Sequence, residues 1–372
     1  MTQWKMKTCV HVGTDALRQL EKIKDKKVCL VCDPFLIGSE NLQKIKGFLE
    51  NNNQLQVFSD VVPDPPIEKV ALGVVEMAQF DPDVVIGIGG GSAIDQAKGI
   101  SFVYKKISQS SKRVVCIAIP TTSGTGSEVT NIFVLSDTKE QRKYPIIDDS
   151  VAPDMALLDE TLVVSCPPTV TAYSGIDVLT HALEAIVALN ANTYTDSLAQ
   201  KATTLVFDNL KECFTNGSNL QARANMHQAS CLAGFAFTDA GLGICHALSH
   251  QVGAIFHLPH GMTNAILLAS VIEYNAQEES VRAKYAEAAR AACIAGSNIS
   301  DTLAVQKLIK QIRQLQRELS CPNTLRQAGI SHEDARQSAD KIVFDAMQDM
   351  TFRSNPVQAD EKALKKIYLK II

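Results

Sequence analysis

The chain has 372 residues, 46% of them apolar and 20% charged, with a formal net charge of −4 and a pI near 6.1. That length exceeds what one hydrophobic core usually serves, so two domains are expected. The mild acidity offers nothing to a nucleic-acid backbone or an anionic membrane, and no apolar run is long enough to span a bilayer.

The opening stretch, MTQWKMKTCVHVG, lacks the unbroken apolar core and small-residue cleavage site of a secretory signal. Ten cysteines are scattered without regular spacing, which reads as reduced thiols in a cytoplasmic protein. Cys29 and Cys32 form a CxxC, but inside an apolar strand, where the two-residue period sends the thiols to opposite faces. A redox or zinc pair is not expected there.

Taken in order, the first half alternates short apolar runs with amphipathic stretches. Strands are expected over 28–32, 56–58, 84–88 and 114–119, and helices over 41–51, 67–80 and 94–104. Such alternation implies a parallel sheet covered on both faces, with ligands at the carboxyl ends of its strands. After Pro167-Pro168 the pattern turns helical, over 177–188, 194–210, 222–237, 245–256, 283–293, 303–319 and 360–372. The expected architecture is a Rossmann-like α/β domain of non-standard strand order over 1–168 and an all-α domain over 169–372. The active site is expected in the cleft between them.

The residues that follow the strands carry chemistry. The run 84–88 ends in Gly89-Gly90-Gly91-Ser92 and enters a helix, a turn that lets backbone approach a phosphate with helix N–H groups aimed at the anion. The loop after 114–119, Pro120 to Ser127, is rich in hydroxyls and glycine and suits the other side of a pyrophosphate. Asp33, after the first of these runs, stands where an acid would bind ribose hydroxyls and repel a 2′-phosphate, favouring NAD over NADP. Gly87-x-Gly89-x-x-Ser92 only imitates the dinucleotide fingerprint, because it follows the third run and lacks the last glycine.

The second half is organised around GLGICHALSHQVGAIFHLPHG at 241–261, which holds four of the eight histidines. His246 and His250 are four apart, one helical turn, or roughly 6 Å between Cβ atoms. His260 lies between Pro259 and Gly261, where a helix cannot simply continue. Upstream, Asp177 and His181 in SGIDVLTH are again one turn apart. Asp177, His181, His246 and His260 make a set of one oxygen and three nitrogens that suits Zn²⁺ or Fe²⁺ and suits Mg²⁺ or Ca²⁺ badly. His257 reads as a cap or a support for the ligands. A nicotinamide facing such a metal suggests hydride exchange with an alcohol or aldehyde whose oxygen the metal polarises, with His250 positioning the nicotinamide or relaying a proton.

These residues resemble the iron-dependent (group III) alcohol dehydrogenase family. The resemblance runs the full length, through GGGSAIDQAK at 89–98, PTTSGTGSEVT at 120–130, RKYP at 142–145, SGIDVLTHALEA at 174–185 and the 241–261 run. It implies an architecture shared with dehydroquinate synthase, Fe²⁺ or Zn²⁺ on Asp177, His181, His246 and His260, and NAD(H) on Asp33, Gly90, Gly91, Ser92, Thr121, Thr122, Thr125 and Lys143. His250 would lie near the nicotinamide. Only the resemblance promotes Lys143 above a solvated surface charge.

Within the family the chain looks closest to the 1-propanol and ethanol dehydrogenases of bacterial microcompartments, which reduce propionaldehyde or acetaldehyde. A homodimer or larger homo-oligomer is implied, in the cytoplasm or inside a microcompartment, although the N-terminal residues present no clear encapsulation helix. A lactaldehyde reductase or a glycerol dehydrogenase-type polyol enzyme is the alternative. A dehydroquinate synthase-like lyase would need a basic cluster for a polyanionic substrate, where this chain has apolar and small residues. A non-catalytic sensor would have degenerate ligands, and all four are present. Phe133, Phe237 and Phe256 are the candidate pocket side chains.

Overall fold

Strands that are apolar on both faces need cover on both, and the first half supplies it. The computed structural model describes residues 6–62, 65–108, 112–137 and 142–372. Its chain divides into two compact units, Met1–Cys166 and Pro167–Ile372.

In the first unit, strands β1 (Cys9–Val12), β2 (Lys27–Cys32), β3 (Gln54–Phe58), β4 (Val84–Gly89), β5 (Val115–Pro120) and β8 (Met155–Leu158) form one parallel sheet in the order β1-β8-β5-β4-β2-β3. Strands β6 (Ile132–Asp137) and β7 (Arg142–Ile147) pair antiparallel beside it in the chain. Helices α1 (Glu40–Gly47), α2 (Ile67–Phe80) and α3 (Gly91–Ile107) are the crossovers. One face of the sheet buries Val28, Leu30, Cys32, Ile86 and Ile88 with Leu42 and Ile45 of α1. The other buries Cys29, Val31 and Val85 with Val74, Met77 and Ile100 of α2 and α3. Each such aliphatic side chain contributes about 1.5–3 kcal/mol on burial. The CxxC thiols therefore do lie on opposite faces, and burial pushes the Cys29 thiol up to about 12 and the Cys32 thiol to about 11.

Leaving aside β1 at the edge, the order of β3-β2-β4-β5-β8 is the doubly wound order in which connections reverse direction once, between β2 and β4. A ligand site at that reversal is bounded by the residues just after β2 and β4, which are Asp33 and the glycines from Gly89.

The second unit is helical throughout its described length. Its helices are α4 (Pro168–Val187), α5 (Thr193–Thr215), α6 (Leu220–Ala240), α7 (Ile244–Phe256), α8 (His260–Asn275), α9 (Glu279–Ala291), α10 (Asp301–Glu318), α11 (His332–Gln337), α12 (Ala339–Gln348) and α13 (Glu361–Leu369). Helix α4 is its axis, with every residue from Gly175 to Val187 buried. A helix that is apolar nearly all round belongs inside a bundle. Leu210 of α5 seats where a side chain at Gly175 would stand. No single described helix is long and apolar enough to cross a membrane; α6 and α7 pass that test only as a pair, bent by 107°.

The expected helices and central strands are present with shifted ends. Helix α4 begins at Pro168 rather than at 177, because proline at the first helical position starts a helix instead of preventing one. Strands β1 and β8, the β6–β7 pair, and helices α8, α11 and α12 were not anticipated. Strands β1 and β8 are each only four residues long, which is too short for a periodicity to register.

Candidate metal centre and nucleotide cradle

Helix α4 is one rigid rail for polar groups. Asp177, His181 and Glu184 recur on it at intervals of four and three, so all three project from one face. Helix α7 faces it with His246, and then ends where His257 takes a left-handed conformation at φ 54°. Pro259 starts α8, whose first residue is His260. At Gly261 any side chain would run into the Tyr173 carbonyl of α4, so glycine is what lets α8 come in close enough to bring His260 to Asp177.

The ligand atoms of Asp177, His181 and His246 lie within 4.8 Å of one another. Asp177 Oδ1 is 3.9 Å from His181 Nε2, 3.7 Å from His246 Nε2 and 3.6 Å from His260 Nε2. These spacings are too long for hydrogen bonds and close to the roughly 3.4 Å edge of a tetrahedron with 2.1 Å metal–ligand bonds. The donor set thus fits Zn²⁺ or Fe²⁺. The side chains of Asp177, His181 and His246 are 2–6% exposed, whereas His260 is 38% exposed and marks the accessible side. Burial pushes the Asp177 carboxyl up, yet the imidazoles of His181, His260 and His246 hold it well below the ordinary carboxylate range. Burial lowers His246, but Asp177 and Glu184 outweigh it and raise the imidazole to about 9.

In the first unit, Asp33 accepts a hydrogen bond from Gly90 N at 3.1 Å, joining the ends of β2 and β4 at the reversal. Gly89, at φ 145°, places its Cα against the Asp33 carboxylate, and a side chain at Gly91 would meet Thr125 Cγ2 at 2.6 Å. Gly90 faces Thr122, and Thr121 N donates to Gly89 O at 2.9 Å. Asp33, Gly90, Gly91, Thr121, Thr122 and Thr125 thus come together with Ser92 at the start of α3. Lys143 lies on β7, and its side chain falls outside the described residues.

The description of iron-containing alcohol dehydrogenases matches residues 8–160, and that of the C-terminal region of the Fe-containing alcohol dehydrogenase family matches residues 171–372. This chain belongs to the iron-containing alcohol dehydrogenase family. The dehydrogenase, an oxidoreductase, is 41% identical over 372 residues to the 1-propanol dehydrogenase PduQ of Citrobacter freundii, with all of both chains covered. It is 36% identical to the NADPH-dependent butanol dehydrogenase of Clostridium saccharobutylicum, over 99% of this chain and 97% of that one. Among solved structures it is similar to 1,3-propanediol oxidoreductase, with a TM-score of 0.92, 30% identity and both chains fully covered. It is also similar to the sulfoacetaldehyde reductase of Bifidobacterium kashiwanohense in complex with NAD⁺, with a TM-score of 0.88 and 25% identity over 100% of this chain and 98% of that one.

Several polar residues of the dehydrogenase that sequence reasoning passed over support these groups. Glu184 Oε2 accepts from His246 Nδ1 at 2.6 Å. Asn264, one turn after His260, donates to Asp177 Oδ1 at 2.7 Å and lies 3.2 Å from the Nε2 atoms of His246 and His260. Asp349 Oδ2 accepts from His250 Nδ1 at 2.8 Å, and the His250 ring stacks on His260 with centroids 5.2 Å apart. In the first unit, buried Lys98 donates to Ser127 Oγ, Thr130 Oγ1 and the Ile132 carbonyl, tying the hydroxyl-rich loop to α3. The signals were there: HALE places an acid three after His181, and HGMTN places an amide four after His260. Of the three phenylalanines, Phe237 stacks on His181 at 4.5 Å. Phe133 is instead fully buried in the core of the first unit against Phe102.

Proposed function

We propose that the dehydrogenase reduces short-chain aldehydes to primary alcohols with NADH, propionaldehyde and acetaldehyde being its substrates, and runs the reverse reaction with NAD⁺. The full-length 41% identity to a 1-propanol dehydrogenase carries this reading. It is supported by the one-oxygen, three-nitrogen set of Asp177, His181, His246 and His260, which would hold Fe²⁺ or Zn²⁺. Such a cation supplies Lewis acidity toward the substrate oxygen, and the nicotinamide supplies or receives the hydride.

The chain's own residues do the rest. Asp177 brings the one full negative charge among the four ligands, and His260 keeps one side of the set accessible. His250, oriented by Asp349, is the proton-handling group beside the ligands. Phe237 covers His181 with an apolar ring and keeps water from that side. Residues 1–168 would bind NAD(H) through Asp33, Gly90, Gly91, Ser92, Thr121, Thr122, Thr125 and Lys143, and 169–372 would bind the metal. The half-buried Asp33 carboxylate, which would accept from ribose hydroxyls and repel a 2′-phosphate, argues for NADH, whereas the butanol dehydrogenase relative is named for NADPH. We place the enzyme in the cytoplasm or in a bacterial microcompartment, as a homodimer or larger oligomer.

Metal-stripped protein reloaded anaerobically with Fe²⁺ or Zn²⁺ tests this. NADH oxidation by propionaldehyde should return with one metal, exceed that with NADPH as donor or with lactaldehyde or dihydroxyacetone (the oxidised form of glycerol) as acceptor, and be absent in His260→Ala. Silence with every short aldehyde under both metals would overturn the assignment.

A further inference from the structure

Helix α7 starts without a cap of its own. Its N-cap residue is Gly243, which has no side chain to accept from the first N–H groups. Two groups from elsewhere do so instead. Glu184 Oε1, from α4, accepts from Cys245 N at 2.7 Å, and Asn355 Oδ1 accepts from Ile244 N at 3.3 Å. The approach is tight: a side chain at Gly243 would stand 2.8 Å from Glu184 Oε1 and 2.7 Å from Asn355 Oδ1. The same Glu184 carboxylate uses its second oxygen on His246 Nδ1, at 2.6 Å. Its side chain is 2% exposed, so water does not weaken either bond.

Resting on the metal-centre reading above, we infer that Glu184 is a positioning residue that locks His246 as a metal ligand and anchors its helix with the same carboxylate. With Nδ1 held by the Glu184 oxygen, Nε2 is the ring atom left facing the other ligand atoms, 3.7 Å from Asp177 Oδ1. The helix start and the ring are fixed by one group on α4, the helix that also carries Asp177 and His181. Two ligands and the support of a third therefore share one rigid element. Asn355 supplies a second cap bond to the same turn, and the described hydrogen bonds of its side chain go to Ile244, Asn275 and Val357 rather than to His246, which separates anchoring the helix from orienting the ring.

The test is the rate at which zinc-loaded protein yields Zn²⁺ to a chromogenic chelator, with melting of each metal-free protein recorded alongside. Glu184→Gln keeps one oxygen to cap Cys245 N but turns its NH2 toward His246 Nδ1, so its neutral amide no longer dictates the tautomer. It should release zinc about 10–100-fold faster than wild type. Asn355→Ala, or if that variant does not fold Asn275→Ala, whose amide holds Asn355 through bonds of 3.1 and 2.9 Å, should lower the melting temperature and leave the release rate within roughly twofold. Unchanged release from Glu184→Gln, or equal acceleration in the Asn355 control, overturns the inference and leaves Glu184 a helix cap. Wild type that takes up no stoichiometric zinc or iron overturns the metal-centre reading itself, an outcome seen before any variant is made.

Discussion

At the scale of single residues, the groups that matter most are ionisable and shut away from water. Glu128 is the plainest case, fully buried beside Lys98, with burial pushing its carboxyl up to about 7 from an ordinary 4.5. Between those values the folded protein holds a proton that the unfolded chain has lost. Stability therefore falls as pH rises through that window, by roughly 3 kcal/mol in all, and stays low above it. Glu128→Gln cannot titrate. Urea unfolding should show it gaining on wild type between pH 4.5 and pH 7.5, and a difference independent of pH would contradict the burial argument. Such residues mark the limit of reading from sequence. Asp177 and the histidines stood out because four rare side chains recur at helical intervals. Glu184, Asn264 and Asp349 did not, because one acid or amide in a helix or at its end looks like any solvated residue until its burial is known.

At the scale of elements, the second unit brings its ligands together by close helix approach, and glycine sets how close. Gly261→Ala would press a methyl group on the Tyr173 carbonyl and force α8 away from α4, taking His260 with it. A strained small-to-large change of this kind costs about 1–3 kcal/mol. The metal-free variant should melt lower than wild type, and its gain in melting temperature on adding Zn²⁺ should shrink as well. A lowered melt with an undiminished zinc response would mean that α8 adjusts without moving His260. The helical stretches of this unit were foreseeable from their periodicity. The start of α8 was not, since Pro259 reads as an end when the structure uses it as a beginning. In the first unit the central strands declared themselves as unbroken apolar runs, while β1 and β8 are short and half-exposed or flanked by polar residues, and their pairing is set by the rest of the sheet.

At the scale of the whole molecule, a metal bound by α4, α7 and α8 joins three separate stretches of chain and stabilises only the folded state. At a free concentration a thousand times its dissociation constant, Zn²⁺ should add about 4 kcal/mol. Amide hydrogen exchange locates the effect: protection should rise in 168–187, 244–256 and 260–275 and change little in the sheet of the first unit. A uniform rise, or one in the sheet alone, would place the cation elsewhere.

The position of β1 has a further consequence for biosynthesis. Thr8 Oγ1 donates to Pro153 O, and Gly13 N donates to Leu158 O, so the first strand is held by a partner 145 residues later. On the ribosome β1 emerges first, while β2 to β5 can pair with near neighbours as they appear. Loop closure over such a distance is slow. The nascent chain thus carries an unpaired leading strand until β8 is made, and that interval is when chaperones have most reason to hold it.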